Sequence, residues 1–138
     1  MNEIATDFSS SRLGPKRVSA SDFLAALFAP YYASGHRGYI EIRLIGEAGV
    51  RSYFFRGLNS LQQKRFITQK AHVYYGLSPR EIREGRKDAV KWLVALWVDL
   101  DAKNYANGKE DAWEVLRNFE FTPSVVIDSG HGLHALWL

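Results

Sequence analysis

The stretch Trp92-Leu93-Val94-Ala95-Leu96-Trp97-Val98, followed at once by Asp99-Leu100-Asp101, decides how the rest of the chain is read. The apolar run is too short to span a bilayer and too unbroken for a strand with one wet face, so it predicts a central β-strand covered on both faces. Alternate side chains of a strand share a face, which sends both carboxylates the same way. At roughly 4 to 5 Å and an effective dielectric of about 20, the two charges repel by about 3 to 4 kcal/mol. A divalent cation offsets that repulsion, and hard carboxylate oxygens at a strand end suit Mg²⁺ or Mn²⁺. The alternative is two polar residues splayed into water after the strand.

Downstream, Lys109 to Phe119 has helical spacing through Ala112, Val115, Leu116 and Phe119, and Pro123-Ser124-Val125-Val126-Ile127 begins another buried strand. Asp128-Ser129-Gly130-His131-Gly132-Leu133-His134 then reverses directly into a further strand. The two glycines permit a tight turn whose backbone N–H groups can approach an anion. His134 and Leu136 take one face of that last strand, while Leu133, Ala135 and Trp137 take the other. His131 belongs at the exposed tip of the turn. A partly buried His134 satisfied by a neighbour is the bland alternative to a ligand. Strand, helix, strand in this order indicates an α/β fold.

Upstream, Met1 to Val18 mixes Ser, Gly, Pro and charge without periodicity and reads as a loose lead-in. Ser21 is the expected N-cap of a helix carrying Phe23, Leu24, Leu27 and Phe28 on one stripe and terminated by Pro30. Ile40, Ile42 and Leu44 alternate with Glu41 and Arg43, then Gly46-Glu47-Ala48-Gly49 turns the chain into Val50 to Phe55, a β-hairpin. Leu58 to Ala71 is rich in helix formers, and His72 to Gly76 is a short β-prone run. Between Lys64 and Lys91, basic residues including Arg80, Arg83, Arg86 and Lys87 collect into a candidate nucleic-acid-binding strip. Glu81, Glu84 and Asp88 are interleaved with them, so taken alone the run reads first as a locally paired solvent face.

A chain of 138 residues suits one compact domain, taken as residues 19–138. Without Cys there are no disulfides, thiolate ligands or thiol nucleophiles. The first residues lack a secretory apolar core, so a cytoplasmic location without membrane insertion is expected. A net charge of +3 permits a polyanionic partner without demanding one.

Trp97-Val98-Asp99-Leu100-Asp101-Ala102-Lys103 and Ser124 to Trp137 together resemble motifs one and two of primase-polymerases of phage, plasmid and CRISPR-linked type, in the archaeo-eukaryotic primase superfamily. The likeness extends upstream through His72 to Arg80, so that it covers about Gly38 to the end. It implies a recognition-motif-like sheet preceded by a strand-helix module, and a metal-dependent, template-directed DNA primase or polymerase activity in replication or repair. In that family the acids of motif one bind Mg²⁺ or Mn²⁺ and the His of motif two contacts the incoming nucleotide's phosphates. Those roles fall on Asp99, Asp101 and His134. Ser129, Gly130 and Gly132 would line the nucleotide pocket, and Arg80 is a candidate phosphate or template contact. Nucleoside triphosphates, a single-stranded DNA template and a helicase domain or protein are the implied partners. The family's third motif carries another acidic ligand beyond Leu138, so the chain is expected to be C-terminally incomplete.

Two other families place Asp-x-Asp after an apolar strand. Haloacid-dehalogenase phosphatases require Thr or Val where Lys103 stands, while nucleotide-sugar glycosyltransferases remain compatible. A non-catalytic replication-initiator module that binds nucleic acid is the remaining alternative.

Overall fold

The computed structural model describes residues 3–6, 16–62 and 71–138. It is a mixed α/β structure of two small antiparallel sheets with helices. The chain divides into two compact units, one formed by Leu24–Val94 and the other by Met1–Phe23 together with Ala95–Leu138.

Helix α1 (Ala20–Ala33) opens the first unit's core. Its cap is Ser19 rather than Ser21. The Ser19 hydroxyl accepts the Asp22 N–H at 3.1 Å and donates to the Asp22 carboxylate at 2.7 Å, satisfying an otherwise orphaned donor of the first turn. Nor does Pro30 end the helix. Proline removes one donor, and with so little helix beyond it the last turn still closes, Ser34 N–H reaching the Pro30 carbonyl at 3.0 Å. Leu27 and Phe28 of α1 are buried, as are Ile40, Ile42 and Phe55 of the sheet that follows.

That sheet has the order β4-β3-β5, from β3 (Ile40–Gly46), β4 (Gly49–Phe55) and β5 (Ala71–Tyr75). The expected hairpin is present, Gly46 opposite Gly49 across the two-residue turn Glu47-Ala48, with Gly49 at φ +97° as β4 begins. Helix α2 covers Leu58–Gln62; the rest of the helix-forming stretch, residues 63–70, lies outside the described residues. Tyr39 and Arg80 then exchange backbone hydrogen bonds of 2.7 and 2.8 Å, which brings the basic segment alongside the start of β3.

The second unit is a five-stranded sheet in the order β2-β1-β7-β8-β6. Its strands are β1 (Glu3–Thr6), β2 (Lys16–Arg17), β6 (Leu96–Asp101), β7 (Val125–Asp128) and β8 (Gly132–Trp137). Within the stretch read as a loose lead-in, Glu3–Thr6 therefore pairs with β7, Glu3 facing Asp128. Four residues are too few to display a period of two, which is why the strand is invisible in the sequence. Helix α3 (Lys109–Asn118) lies on one face, with Ala112 and Leu116 in a core shared with Leu100, Val126, Leu133 and Ala135.

The apolar run is not the central strand it was expected to be. Among the described strands β6 is at the sheet's edge, bonded to β8 alone, and Leu96 and Trp97 are 65% and 58% exposed. Trp92, Leu93 and Val94 stay outside the strand, Trp92 packing its ring 4.0 Å from that of His36. An unbroken apolar run reports that a segment is apolar, and not which neighbours cover it.

Candidate functional site

The β6–β8 register sets Asp99 opposite His134, Leu100 opposite Leu133 and Asp101 opposite Gly132. Leu100, Leu133 and Ala135 point into the core beneath α3, so Asp99, Asp101 and His134 project from the opposite face. The structure thus sets both acids and the histidine on one face of the sheet, with Asp99 and His134 as neighbours and Asp101 turned to Lys103. His134 Nε2 is 3.5 Å from Asp99 Oδ1, and their side chains are 42% and 65% exposed, open to a ligand from solution.

Asp101 is engaged from within the chain. Its Oδ1 accepts the Lys103 N–H at 3.3 Å and its Oδ2 meets Lys103 Nζ at 2.5 Å. The hydrogen bond from Lys103 is the main cause that holds this carboxyl below its usual range, with the Lys103 and His131 charges acting in the same direction. The same ion pair raises the Lys103 ammonium.

The Gly-rich turn is locked to the sheet and to α3. Ser129 N–H and hydroxyl both donate to the Gly132 carbonyl, at 3.0 and 3.1 Å, and Gly130 N–H donates to Asp128 Oδ1 at 2.8 Å with Gly130 at φ +88°. Asp128 is itself clamped by Lys109 Nζ at 2.8 and 3.0 Å. Burial pushes the Asp128 carboxyl up, but the bonds from Lys109 and Gly130 outweigh it and the net shift is downward. The Ser129 and Gly130 donors, expected to face a nucleotide, are therefore committed within the turn. Gly132 has a different role. A Cβ there would run into the Leu100 carbonyl oxygen and come within 3.0 Å of Asp101 Cα, so glycine is what lets β8 lie this close to the acidic end of β6.

The basic strip lies in the other compact unit. Arg80 is not a solvent-facing cation: its Nη2 binds Glu41 Oε2 at 2.9 Å and its Nη1 donates to the Arg86 carbonyl at 3.1 Å. Arg83 stands over the Tyr39 ring at 5.3 Å. Arg86 pairs with Glu84 at 2.6 Å and lies 3.6 Å from Asp88, and Lys87 is exposed in a short 3-10 turn, Lys87–Ala89.

Sequence reasoning passed over Lys103, the Lys109–Asp128 clamp and Glu41. Lys103 follows Asp101 by two places, a spacing that could have flagged the contact. The other two depend on pairing across long sequence separations and leave no local signal.

In donor chemistry the two carboxylates that share a face at a strand end suit a hard divalent ion, which would have to displace Lys103 from Asp101. Among the described residues no group of three or more His, Cys, Asp and Glu side chains gathers to hold an ion unaided, so further oxygens would come from water or from a bound phosphate. Among those residues, too, no helix is long and apolar enough to cross a membrane. Comparison with family models, with curated proteins and with solved structures yields no match.

Proposed function

We propose that Asp99, Asp101 and His134 form the metal-facing and triphosphate-facing part of a nucleotidyl-transfer site of the primase-polymerase type, on the first part of a recognition-motif-like sheet. The observation that carries this reading is the β6–β8 register, which aligns the two short motifs so that the acids and the histidine share one open face.

The reaction joins a primer hydroxyl to the α-phosphate of a nucleoside triphosphate and releases pyrophosphate, directed by a single-stranded DNA template. Mg²⁺ or Mn²⁺, when bound, lowers the pKa of the attacking hydroxyl and neutralises charge developing on the phosphate oxygens. Asp99 and Asp101 are the residues that would hold that ion. His134 donates an imidazole N–H to the triphosphate and keeps it in line, a contribution of position and charge. Gly132 keeps the opposing strand close enough for these groups to converge, and the Lys109–Asp128 pair fixes the turn that delivers it.

Calorimetric titration of Mn²⁺, with and without a non-hydrolysable nucleoside triphosphate, tests the assignment. Binding is weak with metal alone and tighter with the nucleotide, and Asp99→Ala abolishes the signal. An isotherm unchanged in Asp99→Ala refutes the site. A second reading, a nucleic-acid-binding module without catalysis, is favoured by Lys103, whose ammonium already neutralises Asp101. Wild-type protein that takes up single-stranded DNA but neither Mn²⁺ nor nucleotide would establish that reading instead.

A further inference from the structure

The face of the β4-β3-β5 sheet that carries Glu41 and Arg43 is a basic and aromatic surface. Arg43 pairs in register with Tyr74, and His72 follows on the same face of β5, its ring 6.5 Å from that of Tyr74. Tyr74 is 51% exposed. At the other end of β3, Tyr39 is flanked by two guanidinium groups, Arg56 at 5.0 Å and Arg83 at 5.3 Å from the ring centroid. The carboxylate of β3 on this face, Glu41, is buried and bound by both Arg43 and Arg80, so it adds no accessible negative charge.

We infer that this sheet face is a docking surface for single-stranded nucleic acid, with Tyr74 and His72 as stacking platforms and Arg56 and Arg83 as phosphate contacts. Single strands suit it for two reasons. Unpaired bases expose π-faces that can lie on the exposed rings of Tyr74 and His72, whereas a duplex keeps its bases stacked on one another. Cations at the edges of the same face complement a flexible backbone that can follow them. The cation–π contacts already hold Arg56 and Arg83 in place, so less side-chain freedom is lost on binding than two free arginines would lose. The inference deepens the reading of a single-stranded template partner by giving it a location, but its observations come from the other compact unit and stand without the metal site.

Fluorescence anisotropy with a labelled oligothymidylate, against an unlabelled duplex competitor, tests it on the whole chain. The single strand binds in preference to the duplex. Tyr74→Ala weakens binding about tenfold, and Tyr74→Trp restores it, because stacking and not a particular hydroxyl is at work. Arg56→Gln with Arg83→Gln flattens the slope of log affinity against log salt by roughly 1.4, the share of two phosphate contacts to a single strand. Mn²⁺ uptake by the folded Tyr74→Ala protein stays at the wild-type level, which separates failure of this surface from failure of the metal site. Wild-type affinity in Tyr74→Ala that circular dichroism shows to be folded, or duplex bound as tightly as single strand, overturns the proposal.

Discussion

Two places in this molecule bring carboxylates against cations, and their difference separates a structural group from an available one. Glu41 is 2% exposed and bound on all sides. Arg43 reaches it at 2.7 and 3.2 Å, Ser52 at 2.9 Å and Arg80 at 2.9 Å, and Gly85 packs so close that a Cβ there would meet Glu41 Oε1 at 3.0 Å. Burial alone would raise this carboxyl, yet the bonds from Arg43 and Ser52 and the charges of Arg43 and Arg80 leave it below its ordinary 4.5. Asp99 and Asp101 stand instead at an open sheet edge, with one lysine on Asp101 and a histidine 3.5 Å from Asp99. A carboxylate with every oxygen satisfied inside the fold has nothing left to offer a ligand. One at an open sheet edge, held by a lysine that is itself exposed, can exchange partners.

Removing a partner from the closed cluster should produce the largest effect. Arg80→Met leaves Glu41 buried beside one cation and is expected to cost about 3 to 5 kcal/mol in urea unfolding, the usual penalty for half of a buried pair. A loss under about 1 kcal/mol would show that water reaches Glu41 freely. The pH dependence has a definite sign. Because the folded-state pKa of Glu41 is depressed, its contribution is fully present above about 4.5, the unfolded value, and is lost as pH falls through the lower folded value. In Arg80→Met that acid-side decline should become shallower.

At the open edge, Gly132→Ala forces a methyl against the Leu100 carbonyl and should destabilise by about 1 to 3 kcal/mol while weakening Mn²⁺ uptake, since it pushes β8 away from Asp101. Normal uptake by a folded Gly132→Ala protein would detach metal binding from the β6–β8 register. The smallest effect belongs to Lys103→Met. The Lys103 side chain is 77% exposed, so its removal should barely move stability, yet Mn²⁺ affinity should rise because the ion no longer competes with an ammonium for Asp101. Lower affinity in this variant would mean that Lys103 supports the site.

The sequence made some of this legible and concealed the rest for identifiable reasons. Alternation of Ile40, Ile42 and Leu44 with Glu41 and Arg43 sufficed to place the β3–β4 hairpin, because the turn glycines and the period of two agree. The alternation also marked Glu41 as a polar residue facing outward. Its burial depends on Arg80, which lies far along the chain. Asp99, Asp101 and His134 are grouped only by what the motif resemblance implies, because the tight β7–β8 turn does not fix where β6 pairs. The edge position of β6 could not be read, since strand order is fixed by pairing across the fold and not by composition. The basic strip looked uniform, yet it divides into a buried pair, a ring-stacked arginine and exposed charges once the chain is folded.

The discontinuity of the five-stranded sheet bears on the order in which the molecule can assemble. The unit Leu24–Val94 is contiguous, so its hairpin and helix can close as soon as those residues have left the ribosome. The other sheet has to wait, because Glu3 finds its partner only when Asp128 exists. Closing so long a loop is slow compared with closing a hairpin, although each doubling of its length adds only about 0.6 kcal/mol. The acidic edge strand therefore takes its place among the last steps of folding, and the nascent chain carries a finished Glu41 cluster well before Asp99 and His134 can meet.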